Sequence, residues 1–471
     1  MPKPLVLHPD RLFPAEPCTR DIARALYASV RDLPIVSPHG HTDPRWFAYD
    51  EPFANPAELL IVPDHYVFRM LFSQGVRLDE LGVPTVDGSA TANDPRAIWR
   101  IFAANYHLFR GTPSRMWLDW VFAEAFGIDV RLEAETADHY YDLIDAALKT
   151  PQFRPRALFD RYNIEVIATT EGPLDPLDHH RAIRASGWGG KVVTAYRPDP
   201  VLDPDDPKFI ANVQRFCAMA GEDAGSYAGY LRAHEKRRAD FRAAGATSTD
   251  HGHPCAFTAN LPRAEIEALY ARVTTGPVSA AAAELFRGHM LTEMARMSIE
   301  DGMVMQLHPG VHRNHNAAVL ARFGKDKGAD IPTAGEFVTA LKPLLDLYGT
   351  DPRLTLILFT LDEDVYSREL APLAGHYPAL KLGPPWWFHD SPEGMRRFRE
   401  RATETAGFYN TVGFNDDTRA FLSIPARHDV ARRMDCSWLA QLVVEHRMEE
   451  DEAFEVARAL AYDLVKQAYK L

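Results

Sequence analysis

Short apolar or β-branched runs that end in polar residues recur along the chain, and helical patterns separate most of them. Eight runs stand out: residues 33–41 (LPIVSPHGH), 163–172 (NIEVIATTEG), 190–199 (GKVVTAYRPD), 254–259 (PCAFTA), 303–310 (MVMQLHPG), 354–361 (LTLILFTL), 379–388 (ALKLGPPWWF) and 411–419 (TVGFNDDTR). The fourth is short and sparsely apolar. Amphipathic stretches such as LPRAEIEALYARV and AGEFVTALKPLLDLYG lie between later runs. Strands alternating with helices imply a parallel sheet, and eight such units imply an α/β fold of the (β/α)8 TIM-barrel type. A doubly wound open sheet is the alternative. No G-x-G-x-x-G follows the first run, so a dinucleotide site has no support.

One interval breaks the rhythm. Residues 42–162 separate the first and second runs and carry aromatic-rich helical patterns, among them LLIVPDHYVFRMLFSQG and DPRAIWRIFAANYHLFR. A structureless loop of that length would count against the assignment. A large helical insertion after strand 1, covering the mouth of the barrel, accounts for it. The expected organisation is an N-terminal segment with strand 1 (1–50), the helical insertion (51–160), and the remaining barrel with C-terminal helices (161–471).

Composition narrows the class. Apolar residues make up 46% of the 471, and the net charge is −13 with no basic block. A nucleic-acid partner is therefore not expected, although local arginines can still serve an anionic small molecule. The four cysteines (Cys18, Cys217, Cys255, Cys436) form no C-x-x-C pair and fit a reducing compartment. The N-terminus lacks the pattern of a signal peptide, and no stretch approaches the roughly 18 apolar residues of a membrane span. A cytoplasmic protein without membrane partners is expected, and a homo-oligomer with it.

In a barrel, chemistry gathers at the C-terminal ends of the strands. His39 and His41 end the first run. On a strand, residues two apart share a face, so two imidazoles can share a divalent cation. Arg197 ends the third run, and His251 and His253 sit in the turn before the fourth. His308 ends the fifth run, with Arg313 soon after. Trp386 and Trp387 end the seventh, where packing explains such a pair more readily than stacking; Trp387 is retained as a candidate substrate contact. The eighth offers Asp416, Asp417 and Arg419. Closure of the barrel would bring Asp417 beside His39 and His41, a set suited to one divalent metal with open positions. Asp416 is expected to face solvent or to cap the next helix.

These residues sit in longer matching patches: DHYVFR (64–69), TTEGPLDPLDHH (169–180), AYRPD (195–199), MQLHPGVHRNHN (305–316), GPPWWFHD (383–390) and DDTRAFLSIPARH (416–428). With them, the chain up to about residue 430 resembles the uronate (glucuronate) isomerases of the amidohydrolase superfamily. The resemblance implies a (β/α)8 barrel with a helical insertion after strand 1. It implies a divalent metal, most often Zn2+, on His39, His41 and Asp417. It implies that Tyr66 and Arg419 act near the reacting carbons, that His65 and Arg197 help hold a uronate substrate, and that His308 lines the site. The opening SPHGHT departs from the family's usual D-x-H-C-H-L. The absence of a lysine near strand four, and of a histidine at strand six where Thr360 lies, supports a one-metal site.

The reaction so implied is an aldose–ketose isomerisation through an enediolate. Arg197 suits a carboxylate clamp. The metal or Arg419 could stabilise the enediolate oxygen. The base could be Tyr66, if a cation such as Arg419 lowers its pKa, or Asp417, or metal-bound hydroxide. Two other classes stay open: a metal-dependent hydrolase acting on a lactone or related sugar acid, and a non-catalytic sugar-acid binder.

Overall fold

The computed structural model describes residues 2–471. Seven parallel strands form the main sheet: β1 (Ile35–Ser37), β2 (Ile164–Glu171), β3 (Lys191–Tyr196), β4 (Ser248–His251), β5 (Val304–Leu307) and, after a small antiparallel pair β6 (Val311–His312) and β7 (Ile331–Pro332), β8 (Leu356–Leu358) and β9 (Leu380–Leu382). Their order is β1-β2-β3-β4-β5-β8-β9, sequential throughout. A doubly wound sheet reverses order at a switch point, so that alternative is excluded. The result is an α/β fold whose parallel strands form a half-barrel.

Two expectations need correction. The fourth strand is Ser248–His251, not 254–259. Its four residues, Ser-Thr-Asp-His, are polar and all buried, so a search for apolar runs passes over them. His251 accordingly lies on β4 itself rather than in a turn before it. The eighth run, 411–419, forms no regular strand. It makes one parallel bridge, Thr411 to Leu382, and left-handed backbone at Gly413 (φ 75°) and Asp417 (φ 38°) bends it out of a ladder. Thr418 nevertheless accepts a hydrogen bond from the His41 N–H (3.0 Å), which brings the segment against the end of β1.

Alternation along the strands divides the core. Met305, Leu307, Leu356, Leu358, Leu380 and Leu382 face the outer helices. Val166, Ala168, Val193, Val304, Ile357 and Phe359 face inward, and Val465 and Tyr469 of the last helix, Leu464–Tyr469, pack among them. The Tyr469 hydroxyl donates to Gln306 Oε1 (2.9 Å). Between β1 and β2 the chain is helical, from Pro44–Tyr49 to Pro155–Arg161. Buried aromatic residues there, including Trp99, Phe102, Tyr106 and Tyr140, share one cluster with Ile35, Ile164 and Phe421. The helices thus pack on the β1–β2 edge of the sheet. Proline opens many of them at a position where its missing N–H costs nothing.

Candidate active site

His39 and His41 follow β1 in extended chain, separated by Gly40. A Cβ on Gly40 would stand 3.4 Å from the carbonyl oxygens of both Ala168 and Thr418, so neighbours press in from either side. His39 is buried, whereas His41 is partly open. The left-handed conformation at Asp417 brings its carboxylate to both rings: Oδ1 is 3.5 Å from His39 Nε2 and 3.1 Å from His41 Nε2. Oδ1 is buried and has no hydrogen bond of good geometry. Burial works to raise the Asp417 pKa, but the imidazoles of His39, His41 and His308 outweigh it and hold the carboxyl well below its ordinary range. Burial lowers His41, although Asp417 opposes the shift. Two imidazoles around an ionised, unpartnered carboxylate oxygen fit a divalent cation.

His308 stacks on His39, ring centroids 4.9 Å apart, and its Nδ1 lies 2.7 Å from Asp250 Oδ1. Asp250, fully buried on β4, also pairs with Arg197 (Nη1 to Oδ2, 2.9 Å). Arg197 Nε donates to Asp199 Oδ2 (2.9 Å). Burial disfavours the guanidinium charge, but Asp250 and Asp199 more than compensate and raise its pKa. Arg197 therefore lines the cavity with two of its donors already engaged. Asp250 carries no apolar-run signal in the sequence because it lies in the polar fourth strand.

The opposite wall comes from helix His65–Ser73 and the segments after β9. Asp64 caps the helix by accepting from the Tyr66 N–H (2.8 Å). The rings of His65 and Tyr66 stack at 4.7 Å, and Trp387 meets His65 edge-on at 5.8 Å. Trp386 packs against His308 at 4.7 Å, so the tryptophan pair serves both packing and lining. Tyr66 does not meet the expectation of a lowered pKa: burial pushes the phenol up, and the nearest cation, Arg427 rather than Arg419, offsets only part of this. Arg427 is buried, lies 3.6 Å from the centre of the Trp117 ring, and pairs with Asp390. Burial pushes His65 down to about 3, with Arg419 adding to the effect. Arg419 itself is two-fifths exposed, and its nearest acid, Asp326, is 3.8 Å away. Asp416 does not face solvent: it is buried, and its Oδ2 lies 3.1 Å from His428 Nε2. All of the site residues expected from the sequence (His39, His41, His65, Tyr66, Arg197, His308, Trp387, Asp417 and Arg419) line one cavity of about 460 Å³.

A sequence model of the family described as glucuronate isomerase matches residues 17–469. The chain belongs to the glucuronate isomerase family. A uronate isomerase of Rhizorhabdus wittichii is 69% identical over 468 residues, 99% of each chain. The crystal structure of glucuronate isomerase from Caulobacter crescentus superposes with a TM-score of 0.98 at 62% identity, covering 99% of this chain and 98% of the other. A uronate isomerase structure from Thermotoga maritima gives a TM-score of 0.91 at 25% identity, covering 98% and 99%. This isomerase therefore shares the fold of its relatives over nearly its whole length, helical segment included. No helix among the described residues is long and apolar enough to cross a membrane.

Proposed function

We propose that the isomerase interconverts D-glucuronate with D-fructuronate, and D-galacturonate with D-tagaturonate, by proton transfer through an enediolate beside one divalent metal held by His39, His41 and Asp417. The observation that carries this reading is the convergence of those three side chains on a cavity that Tyr66, Arg197 and Arg419 also line. The nitrogen and oxygen donor set suits Zn2+. When bound, such a cation supplies Lewis-acid stabilisation of charge on substrate oxygens.

The chain's own groups divide the remaining work. The ionised Asp417 takes the C2 proton of the aldose; the electron pair forms the C1–C2 double bond, and the carbonyl oxygen gains the charge. Asp417 then returns the proton to C1 while the C2 hydroxyl proton passes to the charged C1 oxygen, which completes the ketose and leaves Asp417 ionised again. Tyr66, held protonated by burial, donates a hydrogen bond to a substrate oxygen. Arg419, whose nearest acid Asp326 is 3.8 Å away and makes no hydrogen bond to it, faces the developing oxyanion. The Arg197 guanidinium faces the substrate carboxylate from the cavity wall, while His65, His308 and Trp387 enclose the sugar. A hydrolase reading is not favoured, since the matching family and relatives are isomerases.

The test combines product analysis with metal analysis. Glucuronate and galacturonate should each yield the matching ketose by NMR, and a lactone should be left intact. Lactone hydrolysis without ketose formation would overturn the reaction. His39→Ala/His41→Ala should lower metal content by elemental analysis, and full occupancy in that variant would remove the assigned site.

A further inference from the structure

Around Asp199, one of the two carboxylate partners of Arg197, lies a second group of potential ligands that the reaction does not use. One donor atom from each of Asp199, His251 and His253 lies within 4.8 Å of the other two. Both imidazoles are buried, His251 completely, and each has a nitrogen without a hydrogen-bond partner: Nδ1 of His251 and Nε2 of His253. Leaving a buried polar atom unpaired costs about 1–3 kcal/mol, so two in one small cluster call for a ligand. The other nitrogen of His251, Nε2, is 3.1 Å from the Thr249 hydroxyl. That oxygen can accept the ring N–H and leave a bare lone pair on Nδ1, the usual arrangement behind a metal-bound imidazole.

The residue between the two histidines fits this purpose. A Cβ at position 252 would fall 2.1 Å from Arg197 Nη2 and 2.9 Å from Asp199 Oδ2, so a larger residue would push both side chains from their present positions. The Gly252 N–H donates to Asp199 Oδ2 (3.0 Å) and anchors the carboxylate.

We infer that Asp199, His251 and His253 form a second divalent-cation site, separate from the one at His39, His41 and Asp417. Two imidazoles and one carboxylate select a borderline transition metal such as Zn2+, Co2+ or Ni2+ over the oxygen-seeking Mg2+ and Ca2+. Asp199 is also a partner of Arg197, so a cation here draws on the carboxylate that orients this arginine at the cavity wall.

Co2+ is the probe, because its visible bands report coordination as well as content. The full-length protein is loaded with excess Co2+, freed of loose ion and analysed for metal. Two equivalents per chain are expected. His253→Gln should keep one, and His39→Ala/His41→Ala should keep the other, with each variant losing a different part of the visible spectrum. One equivalent in the parent, or two retained in His253→Gln, would overturn the proposal. The second measurement does not depend on any variant folding: crystals of the Co2+-loaded parent should show anomalous density between Asp199, His251 and His253. Density confined to the His39–His41–Asp417 site would overturn the second site and leave the first intact. Density at the second site alone would do the reverse.

Discussion

Arg197 stands between two carboxylates at the end of β3, and its removal has two consequences. Asp250 is fully buried, so Arg197→Met leaves a buried charge without its cation. Breaking such a pair costs about 3–5 kcal/mol, to be seen as a lower urea midpoint, and Asp250→Asn in the same background should recover part of it. On the proposed clamp role, loss of the guanidinium should also reduce uronate turnover about ten- to a hundredfold. If Arg197→Met unfolds with the parent, the arginine is not needed to neutralise Asp250. Tyr66 is simpler. Its phenol stays protonated in the folded protein, so Tyr66→Phe keeps the ring contacts and removes one hydrogen-bond donor. The expected result is an unchanged melting temperature with kcat down about ten- to a hundredfold. Turnover within twofold of the parent would exclude Tyr66 from the chemistry.

Where β2 meets β3, a buried acid makes the strand pair a titration point. Glu171, the last residue of β2, accepts hydrogen bonds from the hydroxyls of Thr169 (2.9 Å) and Thr194. Burial pushes its pKa up from 4.5 to about 7. Between those values the folded state holds a proton that the unfolded chain has released, so stability falls as pH rises through this window and the loss is complete above it. Glu171→Gln keeps an acceptor for both threonines and removes the titration. Its gain over the parent should grow by about 2.5 kcal/mol between pH 5 and pH 8, read from urea midpoints; a gain equal at both pH values would refute the assignment. The same strands explain how much could be read in advance. β2, β3, β5, β8 and β9 are legible because parallel strands buried on both faces become aliphatic runs. β4 is not, because Thr249, Asp250 and His251 fill its positions with buried polar side chains that serve the site. The histidine pair and Asp417 stood out as metal-binding residue types at strand ends. Asp250 and Arg427 did not, because their importance lies in partners far away in sequence. The eighth run had the composition of a strand, but the left-handed backbone at Gly413 and Asp417 could not be read from its pattern.

Across the whole molecule, the two ends of the chain meet beneath the site. Tyr469 reaches Gln306, and the Gln306 amide nitrogen lies 3.4 Å from His39 Nδ1. Tyr469→Phe strands a buried acceptor and should lower stability by about 1–3 kcal/mol. On the proposed metal site it should also speed loss of metal to a chelator, since the support behind the His39 imidazole is loosened. Retention identical to the parent would uncouple the last helix from the site. The same long-range meeting governs the order in which a newly made chain becomes an enzyme. His39 and His41 leave the ribosome long before Asp417 and Tyr469, which lie more than 370 residues further on. At roughly 5–20 residues per second, the imidazoles wait on the order of 20–80 s for their carboxylate. Until then the two histidines lack the carboxylate of the proposed site, so that ligand set is complete only after Asp417 has been made.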